Sequence, residues 1–129
     1  MRRLLLPILL LAFVAACDNP DSAEVGSPGE SPTGIPIEVS LTEFEIEMEV
    51  SLTAGIMTFI LSNDGSMEHN FALVGEAIDT RFEENLAPGE TLTLTTALEP
   101  GTYDIFCPVA DHESQGMQLS IQVIGPDVP

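Results

Sequence analysis

Residues 101–124 read GTYDIFCPVADHESQGMQLSIQVI. One strand-like segment precedes a loop, and a second, residues 117–124, follows it with alternating apolar and polar side chains. The alternation places Leu119, Ile121 and Val123 on one face of that second segment. The loop between the segments contains a cysteine and a histidine, and a methionine opens the second segment. The stretch therefore predicts two β-strands joined by a loop whose residue types suit a metal ion.

The same strand-like texture begins at Ile35 and continues along the chain. Further short segments bounded by turn-forming residues lie at 43–50, 55–61, 69–74 and 91–97. In the first of these, apolar residues from Phe44 to Val50 alternate with four glutamates, which predicts a strand with one buried face and one solvated face that protects a sheet edge. Residues 75–86 are interpreted as a short helix or an irregular crossing. About seven short strands separated by turns predict an all-β fold, a single antiparallel Greek-key β-sandwich over residues 35–126.

The N-terminus has the three-part layout of a secretory signal peptide over residues 1–16. Arg2 and Arg3 precede an apolar run, which ends before Ala15 and Ala16 and is too short to span a bilayer comfortably. The segment Val14-Ala15-Ala16-Cys17 resembles the lipobox of bacterial lipoproteins. That resemblance implies cleavage before Cys17 and lipidation of its side chain. The alternative is an ordinary signal peptide that leaves a free cysteine.

Residues 17–34 are rich in proline, glycine, serine and acidic residues and have almost no apolar side chains. This composition predicts a flexible linker that follows the lipidated residue. Stable anchoring requires more than one acyl chain on Cys17. We therefore expect an exported protein that is held at the periplasmic, outer face of the cytoplasmic membrane.

The charge balance is strongly acidic, with a formal net charge of −18, and the sequence contains no lysine. Removal of Arg2 and Arg3 with the signal peptide would bring the charge to −20 and leave Arg81 as the basic side chain. Nucleic acids and anionic lipid headgroups are poor partners for such a surface. Two interpretations stay open: adaptation to a saline or acidic medium, and electrostatic steering toward a basic partner.

If Cys17 carries lipid, Cys107 has no disulfide partner within the chain, which calls for another function. Both histidines, His69 and His112, lie next to predicted strand ends, and Met117 opens the last strand. A thiolate, two imidazoles and a thioether suit a blue-copper site. Zinc is the rival metal, although a thioether adds little to a zinc site. The structural alternative is an inert buried cysteine and a gap-filling methionine.

These segments resemble the cupredoxins, the family of small blue-copper proteins that includes plastocyanin and azurin. The resemblance covers roughly residues 36–124 and is carried by GSMEHNFAL (65–73) and by GTYDIFCPVADHESQGM (101–117). It implies three equatorial copper ligands and an axial one: His69, Cys107 and His112, with Met117 axial.

The resemblance also implies that Asn70 ties the two ligand loops together and directs its backbone N–H at the cysteine sulfur. The sequence departs from the family pattern in its charge. Glu68 precedes His69, and Asp111 and Glu113 flank His112, where many cupredoxins have an apolar docking surface. This departure favours a cationic partner.

The function implied is that of a membrane-tethered type 1 copper protein that shuttles single electrons, with His112 as the ligand nearest solvent. Its partners would be redox proteins such as a basic c-type cytochrome or a membrane respiratory complex. The alternative is a copper-binding or copper-delivery module outside the cytoplasm. We do not expect an enzyme, because two histidines cannot build a second copper centre. Nucleophilic catalysis by Cys107 with His112 as base lacks identifiable oxyanion donors.

Overall fold

The computed structural model describes residues 34–126. This part of the chain contains nine β-strands and one short 3₁₀ helix. The strands are β1 (Ile35–Thr42), β2 (Glu45–Glu47), β3 (Ser51–Thr53), β4 (Gly55–Asn63), β5 (Ala72–Val74), β6 (Asp79–Arg81), β7 (Thr91–Leu98), β8 (Gly101–Phe106) and β9 (Gln118–Ile124). The 3₁₀ helix, Glu113–Gln115, lies between β8 and β9. The predicted signal peptide and Cys17 lie outside the described residues, as does the predicted linker up to residue 33.

The strands form two sheets, with the orders β2-β1-β4-β7 and β3-β9-β8-β5-β6. The prediction of an all-β sandwich is confirmed. Both sheets are mixed, however, because β1 pairs with β4 and β3 pairs with β9 in parallel. Parallel neighbours require a crossover connection. The chain supplies one between β1 and β4 by passing through β2 and then β3, which belongs to the other sheet.

The core lies between the two sheets and is built from the inward faces of the longer strands. Strand β4 contributes Met57, Phe59 and Leu61, all fully buried, and Phe59 contacts Phe71 with ring centroids 5.7 Å apart. In β9, Ile121 and Val123 are buried between exposed polar residues, as the alternation predicts. Each such side chain stabilises the fold by about 1.5–3 kcal/mol. This packed interior gives the loops at the strand ends a rigid base.

The prediction of a single strand over residues 43–50 is wrong. The chain bends after β2, and Val50, which the alternation places inside, is 52% exposed. The reason is the change of sheet: β2 pairs with β1, whereas β3 pairs with β9 in the opposite sheet. Residues 75–86, interpreted from the sequence as a short helix or an irregular crossing, contain a short strand instead. Asp79–Arg81 forms β6 and pairs with β5.

Among residues 34–126, no helix is long and apolar enough to cross a membrane.

Candidate metal centre

His69 lies between β4 and β5, and its backbone is hydrogen-bonded to that of Leu86. Its N–H donates to the carbonyl of Leu86 at 3.1 Å, and the Leu86 N–H donates back at 2.7 Å. At the end of β4, the side-chain amide of Asn63 donates to the carbonyls of Leu86 and Met67, both at 2.8 Å. Asn63 is buried, so these bonds fix the segment that leads to His69 onto the end of a core strand.

Cys107 and His112 lie in the loop between β8 and β9, which is closed by backbone hydrogen bonds. The N–H of Cys107 donates to the carbonyl of Met117 at 3.0 Å, which extends the β8–β9 ladder by one step. The N–H of Met117 donates to the carbonyl of His112 at 3.1 Å, and that of His112 donates to Val109 at 3.0 Å. The loop therefore has a fixed backbone that presents both side chains to the same side.

The three side chains converge in a buried space. Nδ1 of His69 lies 3.3 Å from Nδ1 of His112, and Sγ of Cys107 lies 3.6 Å from the same His112 nitrogen. One nitrogen or sulfur atom from each residue lies within 4.8 Å of the other two. His69 is 0%, Cys107 1% and His112 2% exposed. Two imidazoles and a thiol at these distances form the kind of cluster that binds a soft or borderline metal ion.

Met117 is fully buried, and its backbone hydrogen bonds join it to both Cys107 and His112. A methionine at this position closes the loop at the start of β9. Its assignment as the axial ligand stays a prediction from the family resemblance.

Asn70 connects the His69 segment to its surroundings. Its backbone N–H donates to Sγ of Cys107 at 3.4 Å. Its side-chain amide donates to the carbonyls of Phe82 and Glu84 and to the side chain of Asn85, at 3.1–3.3 Å. The backbone of Asn70 therefore contacts the second ligand loop, while its side chain binds residues 82–85 rather than that loop.

A family model described as "Cupredoxin-like domain" matches residues 6–118. The chain belongs to the cupredoxin family.

Solved cupredoxins share the fold. Auracyanin B has a TM-score of 0.60 at 20% identity, over 74% of this chain and 92% of the other. Reduced auracyanin from the photosynthetic bacterium Roseiflexus castenholzii has a TM-score of 0.57 at 23% identity, over 74% and 99% of the two chains. Auracyanin A from Chloroflexus aurantiacus, a blue copper protein, has a TM-score of 0.53 at 27% identity, over 70% and 99%.

A curated relative is the iron uptake system component EfeO of Escherichia coli K12. It is 29% identical over 72 residues, which are 55% of this chain. The chain spans 19% of the length of that relative.

The donor set of this cupredoxin fits copper. His69, Cys107 and His112 are arranged as a copper site, with the two imidazole nitrogens and the thiol sulfur directed at one another. A thiolate with two imidazoles is a combination that copper favours. The fit therefore rests on the chemistry and burial of the donors.

Glu43 adds a contact to the site that sequence reasoning missed. Its Oε1 accepts the backbone N–H groups of Ser66 and Met67, at 2.7 and 2.8 Å, and lies 3.3 Å from Nε2 of His69. Glu43 is exposed, as the interpretation of these glutamates as a solvated face predicts, but it also makes these contacts to the site. Glu43 lies in the turn before β2, where the chain passes over the loop that precedes His69. No sequence signal separates Glu43 from the exposed glutamates that follow it.

These contacts act on both titratable groups. The N–H groups of Met67 and Ser66 hold the pKa of Glu43 below its ordinary value, because they stabilise the carboxylate. Burial lowers the pKa of His69, and the contact with Glu43 opposes that effect in part. Both shifts favour a neutral imidazole beside an ionised carboxylate, and a neutral imidazole is the form that binds metals.

The surface over the site is partly aromatic and partly acidic. Of the three ligands, His112 has the largest exposure, although it is only 2%, and the ring of Phe44 packs against its ring with centroids 5.0 Å apart. Met67 is 44% exposed. Asp111 and Glu113, on either side of His112, are both exposed. His112 is thus shielded from solvent in part by the ring of Phe44, and two exposed carboxylates lie on either side of it in the sequence.

Proposed function

We propose that this cupredoxin is a membrane-tethered type 1 copper protein that carries single electrons between redox partners. The observation that carries the proposal is the convergence of Nδ1 of His69, Sγ of Cys107 and Nδ1 of His112 within 4.8 Å, in a buried space. When bound there, copper supplies a Cu(II)/Cu(I) couple. Burial of all three donors favours retention of one ion over exchange.

The protein contributes a fixed set of donors. Backbone hydrogen bonds hold His69 to Leu86 and close the loop that carries Cys107 and His112, so the ligands need little rearrangement between two oxidation states. The N–H of Asn70 donates to the Cys107 sulfur at 3.4 Å. A hydrogen bond to the sulfur lowers its electron density and tunes the potential of the site. Pro108 follows Cys107 and has no N–H to add a second donor.

Voltammetry of the copper-loaded protein tests the proposal. We expect a reversible one-electron wave that persists over repeated cycles, with the copper still bound afterwards. The zinc-loaded protein is the control, because zinc has no redox chemistry of its own. Loss of copper on the first reduction would contradict electron transfer.

We propose that the protein acts at the periplasmic face of the cytoplasmic membrane, attached through lipidated Cys17. The support is sequence alone: a signal-peptide pattern followed by the lipobox-like Val14-Ala15-Ala16-Cys17. Mass spectrometry of the mature N-terminus should detect a diacylated or triacylated Cys17. Cys17→Ser should release the protein from the membrane fraction, and an unmodified Cys17 in a membrane-free protein would contradict the anchor.

We propose a basic redox partner, such as a c-type cytochrome, or a membrane respiratory complex. Residues 34–126 include sixteen acidic residues at the surface, among them Glu43 with its side chain 27% exposed, whereas Arg81 is the basic side chain in that range. Such a surface steers a cationic protein by long-range attraction and repels nucleic acid. Association should therefore weaken as ionic strength rises.

The match to EfeO favours a second candidate, a copper-binding or copper-delivery module. EfeO is named as an iron uptake component, and the similar segment is a small part of that protein. A delivery site must release its ion, whereas His69 and Cys107 here are almost completely buried. Incubation of the reduced copper protein with a moderate Cu(I) chelator separates the candidates. Rapid transfer to the chelator would favour delivery, and retention would favour electron transfer.

We assign no catalytic activity to this protein. Both histidines of the chain lie in the one site, so the chain has none for a second copper centre. Cys107 is 1% exposed, which denies a substrate access to its sulfur as a nucleophile.

A further inference from the structure

Glu43 contacts the proposed copper site through Nε2 of His69, the ring nitrogen that faces away from the other two donors. We propose that Glu43 is a positioning residue that holds the His69 imidazole with Nδ1 directed at copper and, by its charge, favours the Cu(II) state. This inference rests on the proposed copper site. It assigns to a residue outside the ligand set both the orientation of a ligand and part of the redox potential.

One carboxylate oxygen contacts two backbone N–H groups and one imidazole nitrogen. Oε1 of Glu43 accepts the N–H of Ser66 at 2.7 Å and that of Met67 at 2.8 Å, and it lies 3.3 Å from Nε2 of His69. The two backbone bonds fix the position of the oxygen, which in turn fixes the ring. Glu43 thus ties the β1–β2 turn to the segment that carries the ligand.

The contact selects one tautomer of His69. A neutral imidazole has one N–H, and its other nitrogen is the metal donor. With the proton on Nε2 and directed at Glu43, the lone pair of Nδ1 points toward Nδ1 of His112, 3.3 Å away, and into the cluster. Hydrogen bonds of this kind to the outer nitrogen fix the ring orientation and raise the basicity of the ligand.

Gly65 leaves the space that this contact needs. A Cβ at that position would collide with Oε1 of Glu43 and lie 3.0 Å from Nε2 of His69. The backbone N–H of Gly65 also donates to the side chain of Asn63 at 3.0 Å, which holds the loop at this close approach. A residue with no side chain therefore stands where the carboxylate meets the imidazole.

The charge of Glu43 gives the contact an effect on the metal. Its Oε1 lies 3.3 Å from Nε2 of His69, a distance that leaves no room for water between them, so solvent screens this charge from the site less than it screens more distant acids. A nearby negative charge and a more basic imidazole both stabilise the more highly charged ion. Removal of the charge should therefore raise the midpoint potential.

The first test uses the copper-free full-length protein and long-range ¹H–¹⁵N NMR of its two histidines. We expect His69 to carry its proton on Nε2 in the wild type and in Glu43→Gln, whose amide oxygen can still accept. Glu43→Ala should show a mixture of tautomers, while Glu47→Ala, at an exposed position on β2, should match the wild type. A pure Nε2–H tautomer in Glu43→Ala would overturn the positioning.

The second test measures the midpoint potential of the copper-loaded protein. Glu43→Gln should raise it by about 60 mV, which corresponds to a tenfold change in the preference for Cu(II) over Cu(I). Glu47→Gln removes the same charge from an exposed strand position and should shift it less than half as much. Equal shifts in the two variants would overturn the effect of charge. A wild-type protein with no reversible couple would contradict the proposed function instead. The NMR experiment uses the copper-free protein, so it tests the positioning of His69 by Glu43 in either case.

Discussion

Three side chains with metal-binding atoms are buried in this small protein, at 0–2% exposure: His69, Cys107 and His112. Nδ1 atoms only 3.3 Å apart can share one proton but cannot both carry one without repulsion. A metal ion bound between these atoms would replace the proton as the shared partner of the donors. At the residue scale, the site is therefore coupled to folding, since the unfolded chain does not hold the donors together.

Copper should stabilise the folded protein. An ion that binds only the native state at a concentration a thousandfold above its Kd adds about 4.1 kcal/mol to the free energy of unfolding. Thermal unfolding of the copper-loaded and chelator-treated protein measures the effect as a fall in Tm on copper removal. Cys107→Ser, which loses a donor, should show a much smaller difference. Equal Tm values for the loaded and stripped wild type would contradict a native metal site.

Asn70 should contribute measurably to the stability of the segments that carry the ligands. Its side chain donates to three acceptors at residues 82–85 and accepts the N–H of Phe71 at 2.7 Å. Asn70→Ala leaves these groups without their partner and should lower the free energy of unfolding by about 1–3 kcal/mol. Chemical denaturation measures this, with Asn85→Ala, which removes only one of the Asn70 contacts, as the comparison. An Asn70→Ala protein no less stable than Asn85→Ala would refute the bracing function.

At the scale of elements, strand β8 connects the core to the metal loop. Its register with β9 runs from Gly101 opposite Val123 to Phe106 opposite Gln118, and the Cys107 N–H continues it. At the opposite end of the strand, the hydroxyl of Tyr103 donates to the carbonyl of Glu99 at 2.8 Å. The strand is thus fixed at both ends, which sets where Cys107 emerges.

Gly75→Ala tests the packing at the far end of β8. A Cβ at Gly75 would lie 2.6 Å from Cε1 of the Tyr103 ring, so the ring must move. Overpacking of this kind should destabilise the fold by about 1–3 kcal/mol. Gly101→Ala is the matched control, because its nearest neighbour would be 3.8 Å away. Calorimetry that finds the two variants equally stable would show that the Tyr103 ring is not tightly held.

The elements differ in how well the sequence predicts them. Strands β4, β7, β8 and β9 follow from apolar runs or alternation bounded by turns, because their residues obey local rules. The change of sheet after β2 and the short strand β6 depend on distant pairing partners, so local pattern does not reveal them. The ligands can be predicted since cysteine and histidine are rare here. Glu43 cannot, because its function comes from the fold of the β1–β2 turn over the His69 loop, and the chain has many acids.

At the scale of the whole molecule, charge dominates. The chain carries a formal charge of −18, and the exposed acids of residues 34–126 include Asp111 and Glu113 beside the His112 ligand. A surface of this kind attracts cations from beyond contact distance, over about 8–10 Å at physiological salt. Under the proposal of a basic partner, the acids near the electron exit have more effect than equally charged residues elsewhere.

The double variant Asp111→Asn, Glu113→Gln should slow electron exchange with a basic cytochrome at low salt and flatten its salt dependence. The matched control, Glu76→Gln with Glu99→Gln, removes the same charge from the end of the sandwich where β8 begins. Stopped-flow rates over a range of ionic strength compare the two. If both pairs change the salt dependence equally, the charge acts as a general surface property rather than at the site.

The central claim is that His69, Cys107 and His112 hold one copper ion through a thiolate bond. The visible absorption spectrum of the protein titrated with Cu(II) tests it most directly, together with the same titration of Cys107→Ser. The account predicts an intense thiolate-to-copper band that saturates at about one copper per chain and is abolished in Cys107→Ser. A wild-type protein that stays colourless with Cu(II), or a band that survives in Cys107→Ser, would contradict it.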